Sequence, residues 1–157
     1  MRYYIRQAVE DDIPVLKQLF RQTLTVVNIE DYTSEEITDW VSCGDNDERW
    51  RELVNDYYML VADDRFGDKL AGFAALSSQG YLNSMFVHVE YLYQGVASAL
   101  WNRLEEWAKE QHIREVTADV SITASTFFQK QGFVIEREQL WKAKKLLLKN
   151  YRMSKCL

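Results

Sequence analysis

The fold is decided by residues 81–104, whose sequence is YLNSMFVHVEYLYQGVASALWNRL. The first half is apolar, aromatic and β-branched, which favours a strand over Tyr81–Val89. The second half predicts an amphipathic helix over Gly95–Gln111, with Val96 and Leu100 on its apolar face. Small residues at the start of this helix leave backbone N–H groups exposed at the positive end of its dipole. The stretch therefore predicts an anion site for a phosphate-bearing ligand whose long axis runs back along the strand.

The size and charge of the chain narrow its function class. A length of 157 residues, of which 47% are hydrophobic, suits one domain with a single core. A net charge of −5 argues against nucleic-acid binding, which calls for a basic face. The sequence shows no membrane-spanning apolar run and no signal-peptide pattern, so no membrane partner is expected. Cys43 and Cys156 lack metal or redox spacing, so we expect two free thiols, no metal and a cytoplasmic location.

Turn and cap signals divide the rest of the chain into elements. Thr33 and Glu36 have the spacing of a capping box, which starts a helix near Ser34. A turn is predicted over Asp63–Asp68, and Gly132 is placed to end a short helix. The central strands are joined by connections too short for crossovers, so they should be antiparallel. The predicted strands are Tyr3–Gln7, Tyr57–Ala62, Leu70–Leu76, Tyr81–Val89, Glu115–Val120, Phe133–Trp141 and Leu146–Ser154.

The order of these elements predicts the fold class. The strand over Glu115–Val120 follows a helix, so it should lie parallel to the strand before that helix. Helices are expected early in the chain, one of them capped by Asp11 or Asp12 and another over Glu48–Val54. Together the elements predict an α/β (α+β) fold with a mixed, mostly antiparallel sheet and helices on both faces. Residues 1–157 are predicted to form a single domain.

Several groups of residues carry a resemblance to a known enzyme family. Leu92, Gly95 and Ala97 stand where a cofactor motif has Arg or Gln, then Gly, then Gly or Ala. Residues 86–91 resemble a strand end of that family, and residues 121–133 resemble its late helix-and-strand motif. The chain is similar to the GNAT N-acetyltransferases, which move an acetyl group from acetyl-CoA to an amine. The early pattern from Tyr32 to Trp40 and the ending Met153-Ser154-Lys155 are similar to the YafP-like branch.

The resemblance implies acetyl-CoA as the cosubstrate and assigns its contacts. Phe86 and Val87 would offer backbone groups to the pantetheine arm, and N–H groups at the helix start would hold the pyrophosphate. Leu92 replaces the usual Arg or Gln, so Gln94 is considered as a substitute donor. Phe128 replaces a usual tyrosine and cannot donate a proton to the departing thiolate. The assigned cofactor residues are Phe86, Val87, Leu92, Gln94, Gly95, Val96, Ala97, Ser98, Ser121 and Phe128.

The catalytic groups are less defined by the sequence. Asp119 lies two residues before Ser121 and shares its side of the strand, so it is a candidate general base, directly or through water. The alternative is a solvent-exposed or cap-supporting carboxylate. Ser121 is assigned a contact near the sulfur, or a helix-cap role, or both. His88 is a second candidate base, with a surface position as the alternative.

The acceptor amine is expected over the early helices. Tyr32, Glu35 and Trp40 are predicted to form an aromatic-and-carboxylate wall for it, although Trp40 also fits a core position. The tryptophans expected only to pack in the core are Trp50, Trp101, Trp107 and Trp141.

The function expected from these features is direct transfer of an acetyl group to a primary amine of a small molecule or peptide. No cysteine lies in the motif region, so a covalent acyl-enzyme is not expected. The alternative is a catalytically weak acyl-CoA sensor or partner-binding module of the same fold. A homodimer through the terminal strands is a further expectation from the resemblance.

Overall fold

A computed structural model describes residues 3–66 and 69–157 of the chain. The strands are β1 (Tyr3–Gln7), β2 (Tyr58–Asp64), β3 (Lys69–Leu76), β4 (Tyr81–Val87), β5 (Glu115–Ser121), β6 (Val134–Lys142) and β7 (Leu147–Cys156). The helices are α1 (Ile13–Val26), α2 (Ser34–Ser42), α3 (Asp47–Asp56), α4 (Val96–Glu110) and α5 (Ser125–Lys130). The strands form one sheet in the order β1-β2-β3-β4-β5-β7-β6. Gly67 and Asp68 of the predicted turn lie outside the described residues.

The predicted mixed sheet with helices on both faces is confirmed. On one face, α4 buries Leu100 and Leu104 against Val116 of β5. On the other, Leu16 of α1 and Trp50 of α3 pack over the β1–β4 half of the sheet. Each fully buried leucine stabilises the fold by about 1.5–3 kcal/mol. Within the described residues, the longest apolar stretches of helix are too short or too polar to cross a membrane.

The two predicted helix caps have different outcomes in the structure. Thr33 Oγ1 accepts a hydrogen bond from the N–H of Glu36, whose carboxylate accepts one from the N–H of Thr33, at 3.1 and 2.9 Å. This capping box starts α2. Asp12 precedes α1, but its carboxylate instead binds the guanidinium of Arg6 at 2.9 Å and ties the helix to β1.

The chain leaves β4 earlier than predicted. The strand ends at Val87 rather than Val89, because residues 89–91 form a short 3₁₀ turn. His88 Nδ1 caps this turn by accepting a hydrogen bond from the N–H of Glu90 at 3.0 Å. Burial lowers the pKa of His88. The turn carries the chain from the strand end to the start of α4.

The parallel pair of β4 and β5 determines where the site lies. These strands pair as predicted, but only through Tyr81 with Thr117 and Leu82 with Ala118. On its other edge, β4 stays paired with β3 as far as Val87. The strands therefore diverge after Leu82, and a gap opens in the middle of the sheet.

Candidate active site

A cleft of about 840 Å³ runs through this gap. It extends from the start of α4, along β4 and β5, to side chains of α1, α2, α3, β6 and β7. Its volume falls within the range of small-molecule sites, about 300–1,000 Å³. The predicted cofactor residues that line it are Phe86, Val87, Leu92, Gly95, Val96, Ala97, Ser98, Ser121 and Phe128.

The start of α4 is an uncapped helix N-terminus. Gly95 is the N-cap residue with φ +82°, and no side chain caps the helix. The N–H of Ala99 makes the first helical bond, to the carbonyl of Gly95 at 3.0 Å, so the N–H groups of residues 95–98 precede the ladder. A Cβ added to Gly95 would meet no atom within 4 Å. Residues 95–98 line the cleft, and aligned N–H groups at a helix N-terminus fit a pyrophosphate.

Gln94 does not supply the donor that Leu92 lacks. Gln94 Oε1 accepts a hydrogen bond from the hydroxyl of Tyr3 at 3.0 Å, and its Nε2 donates to the carbonyl of Glu90 at 3.2 Å. Both ends of the amide are thus engaged, and Gln94 is not among the residues that line the cleft. Leu92 contributes an apolar wall there. Binding of an anion at this end consequently depends on backbone groups.

The register of β4 decides which backbone groups face the gap. The N–H of His88 donates to the carbonyl of Ala71 at 2.8 Å, so the Phe86–Phe73 pair two residues away also exchanges backbone bonds. Every second residue of β4 bonds to β3, and the residues between them face the other way. The N–H and C=O groups of Met85 and Val87 therefore point toward the gap. The Val87 carbonyl accepts a bond from the Thr23 hydroxyl at 2.8 Å. The predicted backbone contact of Val87 with the cosubstrate stays a prediction, and Met85, rather than Phe86, turns its backbone groups toward the gap.

Asp119 lies on the cleft wall within a network of donors. Its carboxylate accepts hydrogen bonds from Arg152 Nε at 2.8 Å, Gln139 Nε2 at 2.6 Å and the Tyr81 hydroxyl at 2.8 Å. Burial, with the bond to Asp119, raises the pKa of Tyr81. A carboxylate that already accepts from three donors is poorly placed to take a proton directly. Its role as a general base stays a prediction.

Four cleft-lining side chains bring further polar atoms to the gap. Ser121 Oγ accepts from the N–H of Ala124 at 3.1 Å, which is the predicted cap role and leaves the hydroxyl proton to donate elsewhere. Ser84 Oγ, Thr123 Oγ1 and Asn150 Oδ1 are buried and have no hydrogen-bond partner among the described residues. Buried polar atoms are normally paired, so these three point to donors or acceptors supplied by a ligand.

The predicted acceptor wall is only partly formed. Trp40 lines the cleft, but Tyr32 is buried behind it, their ring centroids 5.4 Å apart. The Tyr32 hydroxyl donates to the carbonyl of Lys149 at 2.6 Å and accepts from the N–H of Ile122 at 3.1 Å. Burial raises the pKa of Tyr32 to about 12. Glu35 is exposed on α2 and is not a cleft-lining residue.

Two tryptophans that the sequence assigned only to packing also line the cleft. Trp50 packs against Phe73 in the core, yet it also borders the cleft, as does Trp141 on β6. Trp101 and Trp107 pack as predicted. The sequence offered no signal for this difference, because apolar spacing on an element does not tell a core face from a cleft face.

The cysteines are both free, as expected. Cys43 lines the cleft, with its Sγ 3.7 Å from the carbonyl oxygen of Asp39, and burial raises the pKa of its thiol. Cys156 is exposed.

Comparisons with known proteins agree with this geometry. A family model described as an acetyltransferase (GNAT) domain matches residues 28–155. The chain is 30% identical over 135 residues to YafP of Escherichia coli (strain K12), described as an uncharacterized N-acetyltransferase. That match covers 86% of this chain and 83% of YafP.

Solved structures share the fold over the whole chain. A protein from Rhodopseudomonas palustris, described as a GCN5-related N-acetyltransferase (Aminotransferase, Class-II), has a TM-score of 0.94 and 24% identity, covering 100% of this chain and 97% of that one. The PaiA N-acetyltransferase of Thermoplasma acidophilum, solved in complex with coenzyme A, has a TM-score of 0.82 and 21% identity, covering 100% of both chains. Because the family model spans most of its length, the chain belongs to the GNAT acetyltransferase family.

Proposed function

We propose that the protein transfers the acetyl group of acetyl-CoA directly to a primary amine of a small molecule. The observation that carries this proposal is one continuous cleft. It joins an uncapped helix N-terminus, the open edge of β4 and a chamber with buried polar atoms. The N-acetyltransferase description of YafP and the coenzyme A bound to PaiA support it.

The residues present fit this cosubstrate. The N–H groups at the start of α4 would hold the pyrophosphate, and the backbone of Met85 and Val87 would bond the amides of the pantetheine arm. A thioester at the end of that arm would reach the gap near Ser84, where β4 and β5 diverge. Acetyl-CoA supplies the activated acyl group there.

The reaction requires an uncharged amine. Its nitrogen attacks the thioester carbonyl carbon, a C–N bond forms, the C–S bond breaks and its electron pair goes to sulfur. The nitrogen loses one proton and the sulfur gains one, which gives an amide and the CoA thiol. The Ser121 hydroxyl, whose oxygen accepts from the N–H of Ala124, would donate its proton to the carbonyl oxygen or the sulfur. Because Asp119 is occupied and Phe128 has no proton to give, we assign the proton transfer to water.

Calorimetric titration tests the cosubstrate first. We expect acetyl-CoA to bind more tightly than ADP, since ADP cannot reach the edge of β4. Release of CoA thiol from acetyl-CoA in the presence of a panel of primary amines then tests the reaction. Equal affinity for ADP and acetyl-CoA would contradict a pantetheine site on β4.

A second candidate function is an acyl-CoA sensor. Two observations favour it: Phe128 provides no acid, and Asp119 already accepts from three donors. Tight binding of acetyl-CoA without thiol release across the amine panel would select this alternative.

A further inference from the structure

The acceptor end of the cleft is lined with aromatic rings. One cluster consists of Phe20, Trp50, Phe73 and Phe86, with neighbouring ring centroids 5.1–5.9 Å apart. A second cluster places Trp40 5.5 Å from Trp141. All six rings line the same cavity. Aromatic clusters of this kind favour a flat, apolar ligand.

The described residues of the same chamber offer a cationic ligand no unpaired charge. Among the described residues that line the cleft, the charged ones are Arg49 and Asp119. Asp119 is paired with Arg152 at 2.8 Å, and Arg49 with Glu52 at 2.8 Å. An alkylammonium or a polyamine would therefore lose its hydration without gaining a free carboxylate. An amine that is uncharged at neutral pH avoids this loss and needs no general base to become nucleophilic.

Asn150 provides the polar contact that such an amine requires. The residue is 5% exposed, it sits opposite Ser121 in the β5–β7 pair, and its Oδ1 atom has no partner among the described residues. Oδ1 is an acceptor, so the ligand that completes it must bring an N–H or O–H donor. A primary aromatic amine brings this donor on the same nitrogen that attacks the thioester.

We propose that the acceptor is an uncharged aromatic primary amine. Its ring lies between the two aromatic clusters, and its N–H donates to Asn150 Oδ1. This inference rests on the proposed function, because it names the substrate class of the same site. Asn150 acts here as a residue that binds and orients the acceptor.

Matched amines test the substrate class. Aniline is aromatic and uncharged, benzylamine is aromatic and charged, and cyclohexylamine is saturated and charged at neutral pH. We expect kcat/KM to fall in that order, with aniline above cyclohexylamine by about tenfold or more. Equal or higher kcat/KM for cyclohexylamine, or for spermidine, would overturn the inference. So would acetyl-CoA binding without acetylation of aniline, which leaves the cosubstrate site standing, whereas absent acetyl-CoA binding would defeat the proposed function itself.

Substitution of Asn150 tests the contact. Asn150→Asp keeps the shape and an acceptor oxygen and adds a charge, so the ratio of the KM for aniline to the KM for benzylamine should rise by about tenfold. Asn150→Leu should raise KM for both aromatic amines. The affinity for acetyl-CoA should stay within about twofold of the original protein in both variants, and thermal melts check that they are folded.

Asn102→Asp serves as the matched control, because Asn102 is exposed on α4 and outside the cleft. This variant should leave the KM values for aniline and benzylamine unchanged. An unchanged KM for aniline in Asn150→Leu, or an unchanged ratio of the two KM values in Asn150→Asp, would overturn the contact. A parallel loss of acetyl-CoA affinity in the two variants would also overturn it, because Asn150 would then bind the cosubstrate.

Discussion

The two ends of the cleft are built from different materials. The end at α4 is made of main-chain groups from two consecutive elements, β4 and the helix that follows it. The acceptor end is made of side chains from α1, α2, α3, β3, β4, β6 and β7. A main-chain site survives substitutions such as Leu92 as long as the backbone keeps its path. A side-chain site changes with each substitution, so we expect the first end to tolerate side-chain changes and the second to set which acceptor binds.

The largest effect expected from this comparison concerns charge at Gly95. Gly95→Asp would place a carboxylate in front of the N–H groups of α4, whereas Gly95→Asn has the same shape without the charge. Asp and Asn both tolerate a positive φ. We expect Asp to weaken acetyl-CoA binding by at least about tenfold more than Asn, or about 1.4 kcal/mol, by calorimetry. Because Asp is a good N-cap, thermal stability should not fall in parallel. Equal affinities of the two variants would place the pyrophosphate elsewhere.

The next effect concerns the network around Asp119. Asp119→Asn removes the partner of Arg152, whose side chain is 27% exposed, so we expect a loss of about 1–3 kcal/mol in the free energy of unfolding in urea. Acetyl-CoA affinity should change little, because the network belongs to the acceptor end. The control is Glu52→Gln, which breaks the exposed ion pair with Arg49 and should cost at most about 1 kcal/mol. Similar losses in the two variants would show that the Asp119 network contributes no more than a surface pair.

A smaller, pH-dependent effect concerns the β6–β7 turn, since this hairpin carries Trp141 and Asn150. Asp39 Oδ2 accepts from the N–H groups of Leu146, Lys145 and Lys144 at 2.8–3.0 Å, and these bonds lower the pKa of Asp39.

A carboxylate with a lowered pKa stabilises the folded state above its ordinary pKa, and this contribution is lost as the pH falls through the folded value. The thermal stability gap between the original protein and Asp39→Asn should thus narrow as the pH falls from 7 to below the ordinary pKa of an aspartate. Melting curves across that range test this, and a gap that widens toward acid would contradict it.

The smallest effect is expected at Phe128. If thiolate protonation runs through water, Phe128→Tyr should change kcat by less than about threefold, although a general acid that was needed would contribute about 100-fold or more. The rate of CoA thiol release, with an amine that the original protein acetylates, measures kcat. Phe128→Leu is the control for the loss of ring packing against Phe127 and Phe133. A large gain in Phe128→Tyr would show that the missing tyrosine limits the reaction.

The sequence predicted the helix end of the cleft because its residues are contiguous. Gly95 and Ala97 lie in one strand–turn–helix stretch, and local rules for glycine and helix starts suffice there. Such rules do not give the register of β4. A shift of one residue decides whether Met85 or Phe86 turns its backbone groups toward the cleft, and a bulge in the β3–β4 pair affects that register. The antiparallel pairing of the central strands and the parallel direction of the β4–β5 pair did follow from the connections between them.

The acceptor end could not be predicted in the same way. Asn150 and Trp141 reach the cleft only because β7 inserts between β5 and β6. Tyr32 was placed near the right wall, but tertiary hydrogen bonds to Lys149 and Ile122 turn it into a structural residue. Such contacts join distant parts of the chain and leave no trace in local spacing.

The short pairing of β4 with β5 also has a mechanical consequence. The sheet consists of two antiparallel blocks, β1–β4 and β5-β7-β6, whose strands are hydrogen-bonded along their length. Among the described residues, only Tyr81 and Leu82 of β4 pair with β5 and so connect the two blocks. A ligand that bonds to the open edge of β4 would supply backbone hydrogen bonds that β5 does not make to this strand beyond Leu82. Loading would then couple the two blocks, so that the backbone amides bordering the gap exchange with solvent more slowly in the loaded protein. The hydrogen bonding at the middle of the sheet would therefore be completed only when a ligand is bound there.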